Sequence, residues 1–413
     1  MVFKRILGIL LACTLIAGGL LIGLLVPEVA LRIAGVEYKL YRIVDDDKGW
    51  IYRPGDAGWY RLEGESYVTI NREGFLDRDH DEAKPKDVFR IALLGDSFVA
   101  AREVPPENEF ATILEQTLDG CEALQGQAAE VVKFGIAGYG TDQELITLRQ
   151  NVWKYDPDLV VLAFFTENDI ANNTRYLNDH LYNVQKPGKP YFIFDERQEL
   201  VIDDSFLSSE AYLAQKSWQH QVYQSLKSRL RLLQVMSRVK QTIVQRFFEP
   251  RIRALEDGQL MFADEIYKKP SDVHWQTGWQ VTEELLRTMN REVDAKGADF
   301  LVVTLSNDLQ VYPDPSVRQQ AQNTLGIDNL FYPDRRIKSL GDRDGFDVLN
   351  LAPDFQVYAE SHNVCLHGHD NAVPCGGHWS ELGHRLAGLA IAQEVCNRLE
   401  LIETDLSHET HSA

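Results

Sequence analysis

From residue 88 onward the chain alternates two hydrophobic patterns. Short apolar runs bounded by turn residues occur at Arg90–Leu94, Glu130–Phe134, Leu159–Phe165, Phe300–Leu305 and Phe346–Leu351. Runs of this length with little polar alternation read as strands buried on both faces. Apolar residues at helical spacing occupy Glu109–Leu118 (Phe110, Ile113, Leu114, Leu118), Thr141–Tyr155, Gly278–Ala295 and Gly383–Leu399. Strands that alternate with helices predict parallel βαβ units, with helices on both faces of one sheet.

Two stretches break this rhythm. Residues 36–86 carry the turn signals Arg53-Pro-Gly-Asp56, Glu63-Gly64 and Asn71-Arg-Glu-Gly74, with a strand pattern at Ser66–Ile70 between them. They predict a lead-in with a β-hairpin that packs on the main domain, with no chemistry of its own. Residues 176–271 are too long for a plain connection. Their apolar positions Val222, Leu226, Leu230, Leu233, Met236, Val239, Ile243 and Phe247 have helical spacing, and Lys227, Arg229, Arg231, Arg238, Lys240 and Arg246 lie on the other faces. A largely helical insertion follows, expected as a cap near the site. Its basic side suits an anionic polymer or lipid headgroups, and the plainer reading is a solvated face. The α/β domain then comprises residues 87–175 and 272–413.

The amino-terminal segment, residues 1–35, has yet another character. Lys4-Arg5 precede an uncharged run from Ile6 to Val26, long enough to cross a bilayer core. Basic residues on the short leading side predict a cytoplasmic amino terminus and an exported, periplasmic body. A cleaved signal, or a lipoprotein signal at Leu10-Leu11-Ala12-Cys13, is the alternative. The apolar run continues well past Cys13, which favours an uncleaved anchor over residues 6–26.

Composition narrows the function classes. A chain of 413 residues can bury a full core, and its net charge of −20 argues against nucleic-acid binding. Outside the membrane segment the cysteines are Cys121, Cys365, Cys375 and Cys396. An even number in an oxidising compartment suggests two disulfides, and no Cys-x-x-Cys pair points to zinc or redox chemistry.

Candidate chemistry collects at strand ends. Ser97, in Leu94-Gly-Asp-Ser97, sits on a predicted strand-to-helix turn, where a nucleophile is exposed and helix amides stabilise negative charge. In an open α/β sheet that edge binds ligands. Gly138, in Phe134-Gly-Ile-Ala-Gly-Tyr-Gly-Thr141, can bring a backbone N–H to a substrate oxygen. Asn168, in Thr166-Glu-Asn-Asp169, offers a side-chain donor, and His378, in Gly376-Gly-His-Trp-Ser-Glu-Leu-Gly-His384, offers a base. Each has a plainer reading as turn, cap or structural histidine.

Together these four segments make the chain resemble the SGNH (GDSL-like) hydrolase family, over about residues 88–399 apart from the insertion. The lead-in Val68-Thr-Ile-Asn-Arg-Glu-Gly-Phe75 resembles that of membrane-anchored bacterial members. The resemblance implies a flavodoxin-like three-layer α/β/α fold with a parallel central sheet. It implies Ser97 as nucleophile, His378 as base, and an oxyanion hole of the Ser97 and Gly138 N–H groups with the Asn168 amide. Two departures stand out. Thr166 replaces the glycine that usually begins the third block. The family's carboxylate, two or three residues before the histidine, is replaced by Gly376 and Cys375. Asp370 or Asp354 is then the expected orienting acid, unless a backbone carbonyl orients a Ser–His dyad. In a flavodoxin-like strand order the first and last helices are neighbours, so Cys121–Cys396 and Cys365–Cys375 are the expected disulfides.

The expected activity is a membrane-anchored serine esterase that removes O-acyl groups, acetyl among them, from an extracytoplasmic glycan. Its partners are an acylated carbohydrate or other ester and the membrane, with no nucleic acid, cofactor or metal. An O-acyltransferase using the same residues is one alternative. A non-catalytic carbohydrate-binding protein on a degenerate hydrolase fold is another. A metal site at His367, His369, Asp370 and His378 is a fourth reading.

Overall fold

A computed structural model of the chain describes residues 2–38, 42–182, 188–248 and 264–410. It divides into two compact units: residues 1–40 with 214–252, and residues 41–213 with 253–413.

The larger unit opens with two antiparallel hairpins, β1 (Arg42–Asp45) with β2 (Gly49–Tyr52) and β3 (Ala57–Tyr60) with β4 (Ser66–Thr69). The central strands are β5 (Val88–Gly95), β6 (Ala128–Gly135), β7 (Leu159–Phe165), β10 (Asp299–Leu305) and β11 (Asp347–Asn350). A further hairpin, β8 (Tyr191–Phe194) with β9 (Leu200–Asp203), lies within the insertion. The central sheet has the order β6-β5-β7-β10-β11, and every pairing is parallel. This is the flavodoxin-like order expected from the sequence.

Both faces of the sheet are covered, which explains the near-continuous apolar strands. Ala92, Leu94, Val160, Leu162 and Val302 point into one core, and Ile91, Leu93, Val161, Ala163, Leu301 and Val303 into the other. Along the sequence, α2 (Ser97–Ala100), α3 (Phe110–Leu118), α4 (Thr141–Thr147), α5 (Asp169–Asn172), α6 (Arg175–Tyr182) and α7 (Glu210–Lys216) come first. After the smaller unit come α10 (Val273–Asp294), α11 (Pro315–Leu325), α12 (Tyr332–Asp344), α13 (Ala352–His362) and α14 (Glu381–Thr410). The helix expected to run to Tyr155 is α-helical only to Thr147, and continues as π and 3-10 turns through Tyr155. Helices α3 and α14 pack together, and Cys121, just after α3, is joined to Cys396 within α14 with a Cα–Cα distance of 5.8 Å. Cys365 pairs with Cys375.

The smaller unit consists of α1 (Val2–Ile33), α8 (Trp218–Arg229) and α9 (Arg231–Phe248). Within α1, Arg5–Ile33 is long and apolar enough to cross a membrane. The interval expected as one helical cap therefore divides: its hairpin β8–β9 belongs to the larger unit, and its basic helices group with α1. The side chains of Ile243, Arg246 and Phe247 lie outside the described residues.

Candidate active site

The site begins where β5 ends. Gly95 and Gly135 permit the tight turn there. A Cβ on Gly95 would lie 2.4 Å from a Val99 methyl carbon, and one on Gly135 would lie 2.5 Å from the Ala100 nitrogen. Asp96, fully buried, caps α2 by accepting the Phe98 N–H at 2.9 Å. Its other oxygen accepts from the Asn168 amide at 2.8 Å and from the Ser97 hydroxyl at 3.4 Å. Burial raises the Asp96 pKa, against the hydrogen bonds from Phe98 and Asn168. Asp96 thus links the Ser97 turn to the Asn168 turn. One Asn168 amide hydrogen remains for another acceptor.

The three donor turns follow β6, β5 and β7, which are adjacent strands. Gly138 adopts φ +81°, a conformation that suits glycine. Among the described residues, no acceptor takes the Gly138 or Ser97 N–H.

His378 is brought to the same edge by the chain before α14. Its ring lies 5.1 Å from the Phe98 ring, next to Ser97 in the chain. Behind it, buried Trp379 donates to the Ser306 hydroxyl at 2.9 Å, which also contacts His367 Nε2 at 3.1 Å. His367 Nδ1 meets the Gly377 carbonyl at 2.7 Å, so both of its nitrogens are engaged within the protein. No hydrogen bond joins Ser97 Oγ to His378 among the described residues. Such bonds are often long before substrate binds.

The carboxylate that meets His378 comes from a place that the sequence reading passed over. Glu63, on the lead-in turn after β3, accepts the His378 backbone N–H through Oε1 at 2.6 Å and meets His378 Nδ1 through Oε2 at 2.6 Å. Asp370 and Asp354 are both exposed, and neither is hydrogen-bonded to His378. This contact corrects the expected placement of Asp370 at His378: Glu63 of the lead-in meets Nδ1 in place of Asp370 or a backbone carbonyl. The physical reason is long-range: Glu63 and His378 are 315 residues apart.

Two glycines and one loop hold Glu63 in place. Gly64 has φ +66°, and a Cβ there would lie 2.0 Å from the Glu103 carbonyl oxygen. Gly377 has φ +79°, and its Cβ would lie 2.2 Å from Glu63 Oε1. Asn371, inside the Cys365–Cys375 loop, accepts the Gly64 N–H at 2.8 Å and donates to the Gly64 carbonyl at 2.9 Å. The disulfide loop therefore clamps the turn that carries Glu63, and does not supply the acid itself.

A second carboxylate is close by. Glu103 is fully buried, and its Oε1 lies 3.6 Å from His378 Nδ1. Desolvation pulls the His378 pKa down, but Glu103's charge and the Glu63 hydrogen bond and charge outweigh it, and the pKa rises to about 9. For Glu63, burial pushes the pKa up, and the bonds and charge of His378 more than reverse this, leaving it below the usual range. His384 is buried against Phe110, accepts its N–H at 3.3 Å, and is driven down to about 3 by desolvation. It is a structural histidine.

Glu63, Glu103 and His378 place three ligand-type atoms within 4.8 Å of one another. The 2.6 Å contact between Glu63 Oε2 and His378 Nδ1 is a hydrogen-bond distance. An ion about 2 Å from each atom would need to spread them apart.

No protein-family model and no curated protein matches the chain. Solved structures that it matches include an acetyl xylan esterase at 12% identity, covering 74% of this chain and 99% of that one with a TM-score of 0.35. A second is the lipase/acylhydrolase from Enterococcus faecalis, at 15% identity over 75% of this chain and 96% of that one, TM-score 0.36. A third is a catalytic mutant of an acetylxylan esterase from Geobacillus stearothermophilus, at 12% identity over 76% of this chain and 96% of that one, TM-score 0.37.

Proposed function

We propose that the larger unit is a serine esterase that works through a covalent acyl-enzyme. Ser97 attacks an ester carbonyl while His378 Nε2 takes its proton and then delivers it to the leaving alcohol. The Ser97 and Gly138 N–H groups and the Asn168 amide receive the oxyanion, each such donor being worth about 3–4 kcal/mol in the transition state. Glu63 holds Nδ1 protonated, so that Nε2 is free to act as base, and steadies the imidazolium. Water then repeats the sequence on the acyl-enzyme. The observation that carries this reading is the Glu63–His378 pair beside the Ser97 turn, with Asp96 tying that turn to Asn168.

The chain is held to a membrane by α1, with the larger unit on the extracytoplasmic side and O-acylated glycan as substrate. Basic residues before the apolar span and the paired cysteines support this placement. A fluorophosphonate probe should label Ser97, and Ser97→Ala should abolish both labelling and turnover of an aryl acetate. Turnover undiminished in Ser97→Ala rejects the mechanism.

A further inference from the structure

We propose that the elbow formed by α8 and α9 lies on the bilayer surface beside the exit of α1 and binds anionic lipid headgroups. The proposal rests on the reading of α1 as a membrane span. Residues 211–248 contain seven Lys or Arg and no Asp or Glu, in a chain of net charge −20. A cationic segment in an acidic protein makes a local positive potential that attracts an anionic surface.

The elbow is fixed to the end of α1 by a polar clasp. Glu28 accepts the backbone N–H groups of Arg231 at 3.1 Å and Leu232 at 2.9 Å, capping α9, and also the Arg32 guanidinium at 2.8 Å. Arg32 donates to the Arg229 carbonyl at 2.6 Å, Arg231 pairs with Glu37, and the Tyr38 N–H donates to Gln234 at 2.9 Å. The uncharged run Ile6–Val26 would span about 31 Å as a helix, which matches the bilayer core. Glu28 follows two residues later, so whatever it caps sits at headgroup depth.

The surface at that depth is amphipathic. Trp218, Val222 and Leu226 repeat every four residues along α8, and Met236 and Val239 lie on α9. All five are exposed, Trp218 by 70% and Met236 by 59%. Arg229, Arg238 and Lys240 are interspersed with them. Exposed apolar and aromatic side chains among cations fit the interface of an anionic bilayer, where tryptophan is favoured and basic residues are drawn to the headgroups.

The test uses the full chain in vesicles of phosphatidylcholine alone or with roughly one third phosphatidylglycerol. An environment-sensitive label is placed on native Cys13, or on Val222→Cys or Met236→Cys in a Cys13→Ser background, and nitroxide lipids serve as quenchers. The expected result is a Cys13 label quenched in both vesicles, with the 222 and 236 labels quenched about twofold more in the anionic vesicles. Arg238→Glu with Lys240→Glu should remove that difference. A quenched Cys13 label with unquenched 222 and 236 labels overturns the proposal and leaves the anchor reading standing. Quenching at 222 and 236 that is equal in both vesicles overturns the headgroup assignment. Energy transfer between labelled copies without lipid quenching makes the face a self-contact, which also overturns it. An unquenched Cys13 label removes the anchor reading and this proposal with it.

Discussion

Replacing Glu63 with glutamine changes one charge and tests the central contact of the site. Glu63 serves two hydrogens, the His378 backbone N–H and the proton on Nδ1, each at 2.6 Å. A glutamine has only one acceptor oxygen. The backbone N–H can only donate, so the amide oxygen goes to it, and the NH2 group turns toward Nδ1. That makes Nδ1 an acceptor and moves the ring proton to Nε2, the atom that must take the proton of Ser97. The charge matters as well. Raising the His378 pKa from 6.5 to about 9 corresponds to roughly 3 kcal/mol of preference for the imidazolium. Loss of the correct tautomer should lower kcat for an aryl ester by about 10³–10⁴-fold, and loss of the Glu63 charge should also lower fold stability at neutral pH. The wild-type kcat/KM should rise tenfold per pH unit until about pH 9, since His378 must be neutral to act. Glu103→Gln removes a buried charge 3.6 Å from the ring but keeps the Glu63 contact, so its limb should move to lower pH. Activity at pH 7 should then increase. Glu63→Gln within a few-fold of wild type, or a limb unmoved in Glu103→Gln, would refute the reasoning.

Other expectations follow from the same geometry. Asn168→Ala removes the proposed oxyanion donor and a partner of Asp96, and should lower kcat by about 10²–10³-fold in the aryl ester assay. Gly64→Ala should cost about 1–3 kcal/mol in urea unfolding and reduce turnover, because its φ is +66° and the new Cβ would meet the Glu103 carbonyl oxygen. Because His378 is raised above its unfolded pKa, its pairing stabilises the fold fully below about pH 6.5 and is lost as pH rises through about 9. His378→Ala should flatten that slope in denaturation measured across pH. Replacing Cys121 and Cys396 with serine opens a link across 275 residues, and should cost about 2–5 kcal/mol by the same unfolding measurement.

Much of the fold was legible in local pattern. A parallel strand covered on both faces must be apolar throughout, so Ile91–Leu94 and Leu159–Phe164 announce themselves without tertiary information. The turn residues Gly95, Asp96 and Ser97 are equally local, because Val99, four residues on, leaves no room for a Cβ at Gly95. Gly138 and Asn168 follow β6 and β7, which both pair with β5, and chain order alone suggested that. The helices α11, α12 and α13 were not read. Their apolar faces are short, and their capping residues, such as Asp314 on α11, resemble ordinary turn residues.

The carboxylate beside His378 was decided only by tertiary structure. Spacing arguments look close to the histidine, and there they find Gly376 and Cys375, or Asp370 and Asp354 at some distance. Glu63 carries no local mark beyond a Glu-Gly turn. Its role arises because the lead-in hairpin folds over the sheet edge, Asn371 grips Gly64, and Gly377 gives room for the carboxylate. The amino-acid pattern by itself determined the sheet, the half-buried serine on its turn and the histidine segment, since each depends on residues a few positions apart. The carboxylate's position, and with it the histidine's charge and tautomer, depended on a contact across 315 residues, and packing alone sets such a contact.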